Sequence, residues 1–324
     1  MGKPEGIKKE LLELKANVPL KNHTSYRIGG RAKYFFEAKS TEDLNKAITM
    51  AKQFGLPFFV LGRGSNVLIS DKGYKGLVIK IQNSRMKTEN LKDKMMLFCD
   101  AGVLLSSLVQ KSVENGVTGL EWAAGIPGTV GGAIFGNTGA FNKAIAGAVK
   151  QVTVFDADSK EARNIKRREC LFGYKTSVFK NNRNLVIVSC VLELKKGNRK
   201  EILEEMKKHL RYRREKQPLD FPSAGSIFKN PGMKIKNKRL IKKFPEIKIF
   251  NRKKQIPAGF LIEKSGMKGK KAGNAQISEK HANFIINLGE AKAKDVLRLM
   301  KTAKKAVKKK FKIDLEEEIQ YFGG

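Results

Sequence analysis

With 324 residues, 41% of them hydrophobic and 8% aromatic, the chain is long enough for two or three packed lobes of ~100–200 residues and is excluded from the disordered class. No apolar run approaches the ~20 residues that span a bilayer, and the N-terminal MGKPEGIKKELLELK lacks the apolar centre of a signal peptide, so a cytoplasmic protein without a membrane segment is expected. A formal net charge of +35 raises nucleic-acid binding, but the lysines are spread along the chain and few aromatics are interleaved with them, which points to a general lysine bias and attraction of anionic ligands instead.

In chain order, the pattern predicts a strand from Ala32 to Ala38, then a helix from Thr41 to Phe54. Ser40 or Thr41 caps that helix, Glu42 and Asp43 occupy its first turn, and Gly55 and Pro57 end it. A strand from Pro57 to Leu61 leads into the turn GRGSN and a further strand to Ser70. Strand, helix and strand in this order imply an α/β lobe. From Gly76 the strands GLVIKI and MMLFCDAG, a helix from Leu104 to Asn115, a glycine-rich stretch, and the strands KQVTVFDA and NLVIVSCVLEL form a second lobe ending near Lys195. A charged helix, Arg199 to Lys216, is broken by QPLDFP. Beyond it a last α+β region holds the strand-like SIFKN, the helix AGFLIEKSG, the strand NFIINLG, a basic helix from about Lys292 to Lys310 and a terminal strand LEEEIQYFG. The expected division is 1–80, 81–197 and 198–324.

Two segments invite a ligand. In VLGRGSNVLIS, Gly62 and Gly64 allow positive φ and close approach, so successive N–H groups can surround an anion, with Ser65 and Asn66 adding donors. A tight hairpin turn has the same pattern. The stretch from Gly119 to Phe141 contains seven glycines and a single charged residue, Glu121, so its apolar side chains need burial against protein or against an extended diphosphate ligand. Neither segment has the spacing of a Rossmann or P-loop motif. Cys99, Cys170 and Cys190 are isolated thiols, His23, His209 and His281 are far apart, and no metal site is expected.

Taken in order, NHTSYRIGGRA, LGRGSNVLISD, GLEWAAGIPGTVGGAIFGNTGAF, FGYKTSVFK, SAGSIFKNP, PAGFLIEKSGMKGK, KHANFIIN and LEEEIQYFG resemble the UDP-N-acetylenolpyruvoylglucosamine reductase (MurB) family from about Asn22 to Gly323. The resemblance implies an α+β chain: a two-lobed FAD-binding domain of the PCMH/vanillyl-alcohol-oxidase type, then an α+β substrate-binding domain. It places FAD against Gly62, Arg63, Gly64, Ser65 and Asn66, and against Gly125, Ile126, Pro127, Gly128, Thr129, Gly131, Gly132, Asn137 and Gly139. Hydride then passes from NADPH through the flavin to C3 of the enolpyruvyl group of UDP-N-acetylglucosamine enolpyruvate, leaving negative charge at C2 to be stabilised and protonated. By position, Ser226 is the proton donor, Glu318 assists, and Lys175 meets the carboxylate where relatives carry arginine. Tyr174, Lys216 and Asn230 match substrate-binding positions. Gln320 stands where many relatives have arginine. Only forty residues separate Ser177 from Pro218, which suits the compact subtype. A monomer is expected, with the sugar nucleotide and NADPH as its partners.

Overall fold

The computed structural model describes residues 11–323, so the start of the N-terminal segment read for a leader, and of the first expected division, lies outside the described residues. The chain forms two compact units. Of the described residues, the first comprises 11–18, 32–63 and 75–213, and the second 19–31, 64–74 and 214–323.

Among the described residues the first unit contains two large sheets and a two-stranded hairpin. One is a four-stranded sheet ordered Lys15–Pro19, Arg31–Ala38, Tyr74–Ile81 and Phe58–Leu61, the last two being parallel. The crossover helix Thr41–Gln53 starts at a capping box: the Ser40 hydroxyl accepts from Asp43 N–H, and the Asp43 carboxylate accepts from Ser40 N–H. Its face of Leu44, Ala47, Ile48 and Ala51 is buried. The other sheet is antiparallel and runs Glu161–Lys166, Val149–Asp156, Leu185–Lys196, Lys94–Asp100 and Met86–Asn90, with Val117–Thr118 also on the long strand. A single core joins these elements. Trp122, 1% exposed, lies within it and satisfies its indole by donating to the Gly119 carbonyl (2.9 Å).

The second unit packs the helices Ala258–Lys264 and Ala293–Phe311 around a three-stranded antiparallel sheet and a parallel pair, Gln320–Phe322 with Val67–Ile69. Asp71, far away in sequence, caps the longer helix: its carboxylate accepts from Ala293 N–H (2.7 Å) and Lys294 N–H (3.1 Å). A cap of this kind contributes ~0.5–2 kcal/mol. Helices Lys238–Lys243 and Ile247–Lys253 carry the cationic 232–255 region, mostly at the surface, although Ile235 and Ile247 are buried. Among the described residues no helix is long and apolar enough to cross a membrane.

Three expected strands of the last region are shorter than read, NFIINLG being a strand only over Ile285–Asn287. SIFKN contributes only isolated bridges at Ser226 and Phe228, and the terminal strand begins at Gln320, so Glu318 precedes it. At SIFKN and at the terminal strand a side chain interrupts the ladder, as described next.

Candidate active site

In the first unit the glycine-rich stretch is held from behind. Val130 N–H donates to the Val103 carbonyl (2.8 Å) and Gly131 N–H to the Ala101 carbonyl (2.9 Å). A Cβ at Gly131 would stand 2.7 Å from the Ala101 Cβ, so only glycine permits this approach. The Thr129 hydroxyl accepts from Gly132 N–H and caps the short helix Val130–Phe135. The two glycine-rich segments meet here, because a Cβ at Gly62 would lie 2.7 Å from the Thr129 Oγ1. Arg213, 8% exposed, fastens the preceding turn: its Nε donates to the Ala124 carbonyl (2.8 Å) and an Nη to that of Trp122 (3.0 Å). Burial pulls its pKa below the usual arginine value, yet guanidinium remains charged at physiological pH. Sequence reasoning missed Arg213, since a lone arginine on a charged helix carries no local signal.

The segment bearing Tyr174 and Lys175 is tied to the same stretch. Asn137 Nδ2 donates to the Gly173 carbonyl (2.7 Å), the Ser177 hydroxyl donates to that of Phe135 (2.7 Å), and Lys175 Nζ reaches that of Gly139 at 3.5 Å. Lys175 has a φ of 56°, in the left-handed region, and Tyr174 is about half exposed. Asn137 therefore works through its side chain as an internal brace. Beside the other loop, burial first and the charge of Arg63 second bring the Lys80 pKa down to about 8, which marks two cations close together.

The GRGSN turn passes from the first unit into the second at Gly64. Gly64 has a φ of 64°, and a Cβ there would lie 2.4 Å from the His23 carbonyl oxygen. Asn66 joins it to the C-terminal segment, its carbonyl accepting from Gln320 N–H (3.0 Å) and its Nδ2 donating to the Glu318 carbonyl (3.3 Å).

Ser226 and Glu318 are 92 residues apart in sequence and are brought together in the second unit. Glu318 N–H donates to the carbonyl of Ile227, the residue after the serine (2.8 Å), while Ile227 N–H donates to the Asn283 carbonyl (2.9 Å). The buried Asn283 side chain takes the place of a neighbouring strand: Oδ1 accepts from Phe228 N–H (3.0 Å) and Nδ2 donates to the Phe228 carbonyl (2.8 Å). Asn230 Oδ1 accepts from Ala258 N–H (2.9 Å) at the start of its helix, and Lys216 ends the charged helix, exposed. Gln320 Oε1 is buried without a hydrogen-bond donor among the described residues. A cavity of about 630 Å³ in the same unit is lined by Lys21, Asn22, Thr24, Arg27, Phe221 and Asn287 among others, and by none of the site residues expected from the sequence.

The glycine-rich backbone of the first unit fits a flavin-dependent oxidoreductase of the FAD-binding fold expected from the sequence, and the comparisons with known proteins show that class. Residues 32–163 match the family model of an FAD binding domain, and residues 217–322 match that of the UDP-N-acetylenolpyruvoylglucosamine reductase C-terminal domain. The UDP-N-acetylenolpyruvoylglucosamine reductases of Caldicellulosiruptor bescii (39% identical, covering 98% of this chain and 93% of that protein) and Anoxybacillus flavithermus (36%, covering 98% and 99%) align over nearly the whole length. The crystal structure of the reductase from Thermus caldophilus superposes with a TM-score of 0.74 at 32% identity, covering 96% of this chain and 98% of that one. The chain belongs to the UDP-N-acetylenolpyruvoylglucosamine reductase family.

FAD is its cofactor, and the residues present fit it. Gly125 and Gly128 have φ of 76° and 133°, and among the described residues no acceptor meets the N–H groups of Gly128 and Thr129. Such donors suit a diphosphate.

Proposed function

We propose that the chain reduces the enolpyruvyl group of UDP-N-acetylglucosamine enolpyruvate to give UDP-N-acetylmuramate, with NADPH as reductant, in peptidoglycan precursor synthesis. The observation that supports this reading is the Glu318–Ile227 backbone bond, which joins the segment bearing Glu318 to the one bearing Ser226 although the two are far apart in sequence. FAD, when bound, supplies the hydride relay from NADPH to C3. The remaining tasks fall to this chain's side chains. Ser226 donates the proton to C2, and because a free serine is a poor acid at neutral pH it needs an assisting group. Glu318 assists, as donor where its carboxyl is kept protonated. Lys175 offers positive charge to the substrate carboxylate without the two-pronged contact of arginine.

Tyr174, Lys216 and Asn230 bind the sugar nucleotide. The side-chain Oδ1 of Asn230 accepts from Ala258 N–H, which fixes the orientation of its amide. FAD lies along Gly62, Arg63, Gly64, Ser65, Asn66 and the Gly125–Gly139 loop. The divisions 1–80 and 81–197 are the FAD-binding lobes and 198–324 the substrate domain of a compact, monomeric, cytoplasmic enzyme that supports cell shape and division, with no specific nucleic-acid partner.

The test is to purify the chain, record its visible spectrum and follow NADPH oxidation with and without the enolpyruvyl sugar nucleotide. A flavin spectrum and substrate-dependent oxidation are expected; a colourless protein, or oxidation indifferent to the substrate, overturns the reading. Lys175→Arg is expected to equal or exceed the parent in kcat/KM for the sugar nucleotide, because it restores bidentate contact. A loss of tenfold or more would show, by the ~1.4 kcal/mol it represents, a site rebuilt around lysine.

A further inference from the structure

The glycine-rich stretch ends in a hairpin, Gly139–Ala140 paired with Lys143–Ala144, closed by Phe141 and Asn142 alone. Both turn residues have positive φ, 53° and 61°, as a two-residue type I′ turn requires. Asparagine adopts this region readily. Phenylalanine does so at a conformational cost, and such strain gathers at functional sites. Burial does not offset it, for Phe141 is 40% exposed. The ring is braced instead: His209 lies 4.1 Å from it between centroids, Tyr212 meets it edge-on at 5.3 Å, and the Arg213 guanidinium is 5.5 Å away. Tyr212 is itself 48% exposed, so two aromatic rings are presented at a steep angle to one another.

The charged groups around this pair are Lys143 on the hairpin and Glu205, Lys208 and Arg213 on the helix, which together bear on the His209 imidazole. His209 has its pKa pushed down by burial first, and its Nε2 stands 3.1 Å from Glu205. Its ring packs against that of Phe141 as a support. Exposed aromatic faces rimmed by cations match a nucleobase joined to phosphates, through stacking and charge attraction. At the base of the same hairpin Lys175 reaches the Gly139 carbonyl.

We propose that Phe141 and Tyr212 form a stacking platform for the base of a nucleotide substrate. The inference rests on the function proposed above, in which both substrates are nucleotides.

Phe141→Asn separates this role from a structural one, since asparagine favours the turn. In the flavin-loaded full chain it is expected to keep or raise the thermal midpoint while raising KM about thirtyfold more than it lowers kcat, the middle of the range for loss of one stacked base. Measured separately, the KM values for NADPH and for the enolpyruvyl sugar nucleotide show whether adenine or uracil is the occupant. Tyr212→Ala should act in the same direction and Tyr212→Phe should restore binding. Dissociation constants for UDP and NADP⁺, titrated on parent and variants, are independent of turnover. An inactive parent counts against the proposed function, whereas the platform is judged on the variant-to-parent ratio. Ratios within twofold for both nucleotides overturn it, as does weakened FAD retention with both ratios unchanged.

Discussion

Ser226→Ala leaves flavin reduction by NADPH nearly intact and slows reoxidation by the enolpyruvyl sugar nucleotide by at least ~10²-fold, the lower scale for loss of a positioned general acid. This is the result expected from stopped-flow measurement of the two half-reactions. The backbone around the serine is fixed independently of its hydroxyl: Ile227 is bonded on both its N–H and its carbonyl, and Phe228 is clasped by the Asn283 side chain. Alanine therefore removes the proton without moving the segment. Were both half-reactions to fall together, Ser226 would be a structural residue and the acid would have to be sought elsewhere.

Arg213→Met gives the largest stability loss expected of any single change away from the reacting groups. The methionine fills much of the same space, but the Trp122 and Ala124 carbonyls lose the donors that satisfy them. Each unsatisfied buried acceptor costs ~1–3 kcal/mol, so a loss of about 2–6 kcal/mol is expected. The turn released is the one leading into Gly125, so FAD retention should fall as well. Urea midpoints of the flavin-free chain and flavin content after gel filtration read the two effects separately. Retention of both would show that water replaces the guanidinium without penalty. Arg213→Lys should rescue only part, because one ammonium does not span two carbonyls in the fork geometry of guanidinium.

The elements with strong local signals were legible from sequence. Ser40, the acidic first turn and Gly55 bound the first helix, and the charged helix Arg199–Lys216 was read with its exact ends. Met86–Asn90 and Glu161–Lys166 were missed because edge strands need no apolar face: of the second, only Ile165 is buried. The glycine loops suggested a ligand through composition, but Arg213, Asn137 and Asn283 act as braces across 36 to 91 residues, and nothing in their immediate neighbours predicts a partner so far away. SIFKN was read as a strand for the same reason. Its residues have strand character, and the partner that replaces the ladder is an amide 55 residues on.

Among the described residues the second unit is assembled from three separated pieces of chain, 19–31, 64–74 and 214–323. A fragment starting at residue 214 would lack the strand that pairs with Gln320–Phe322 and the aspartate that caps the helix from Ala293. Proteolysis or gene splitting at a single point therefore yields no pair of self-sufficient halves. During synthesis the strand Val67–Ile69 must wait, unpaired, for a partner strand roughly 250 residues further along the chain, and an edge left open over that interval is where the growing chain is exposed to misassembly.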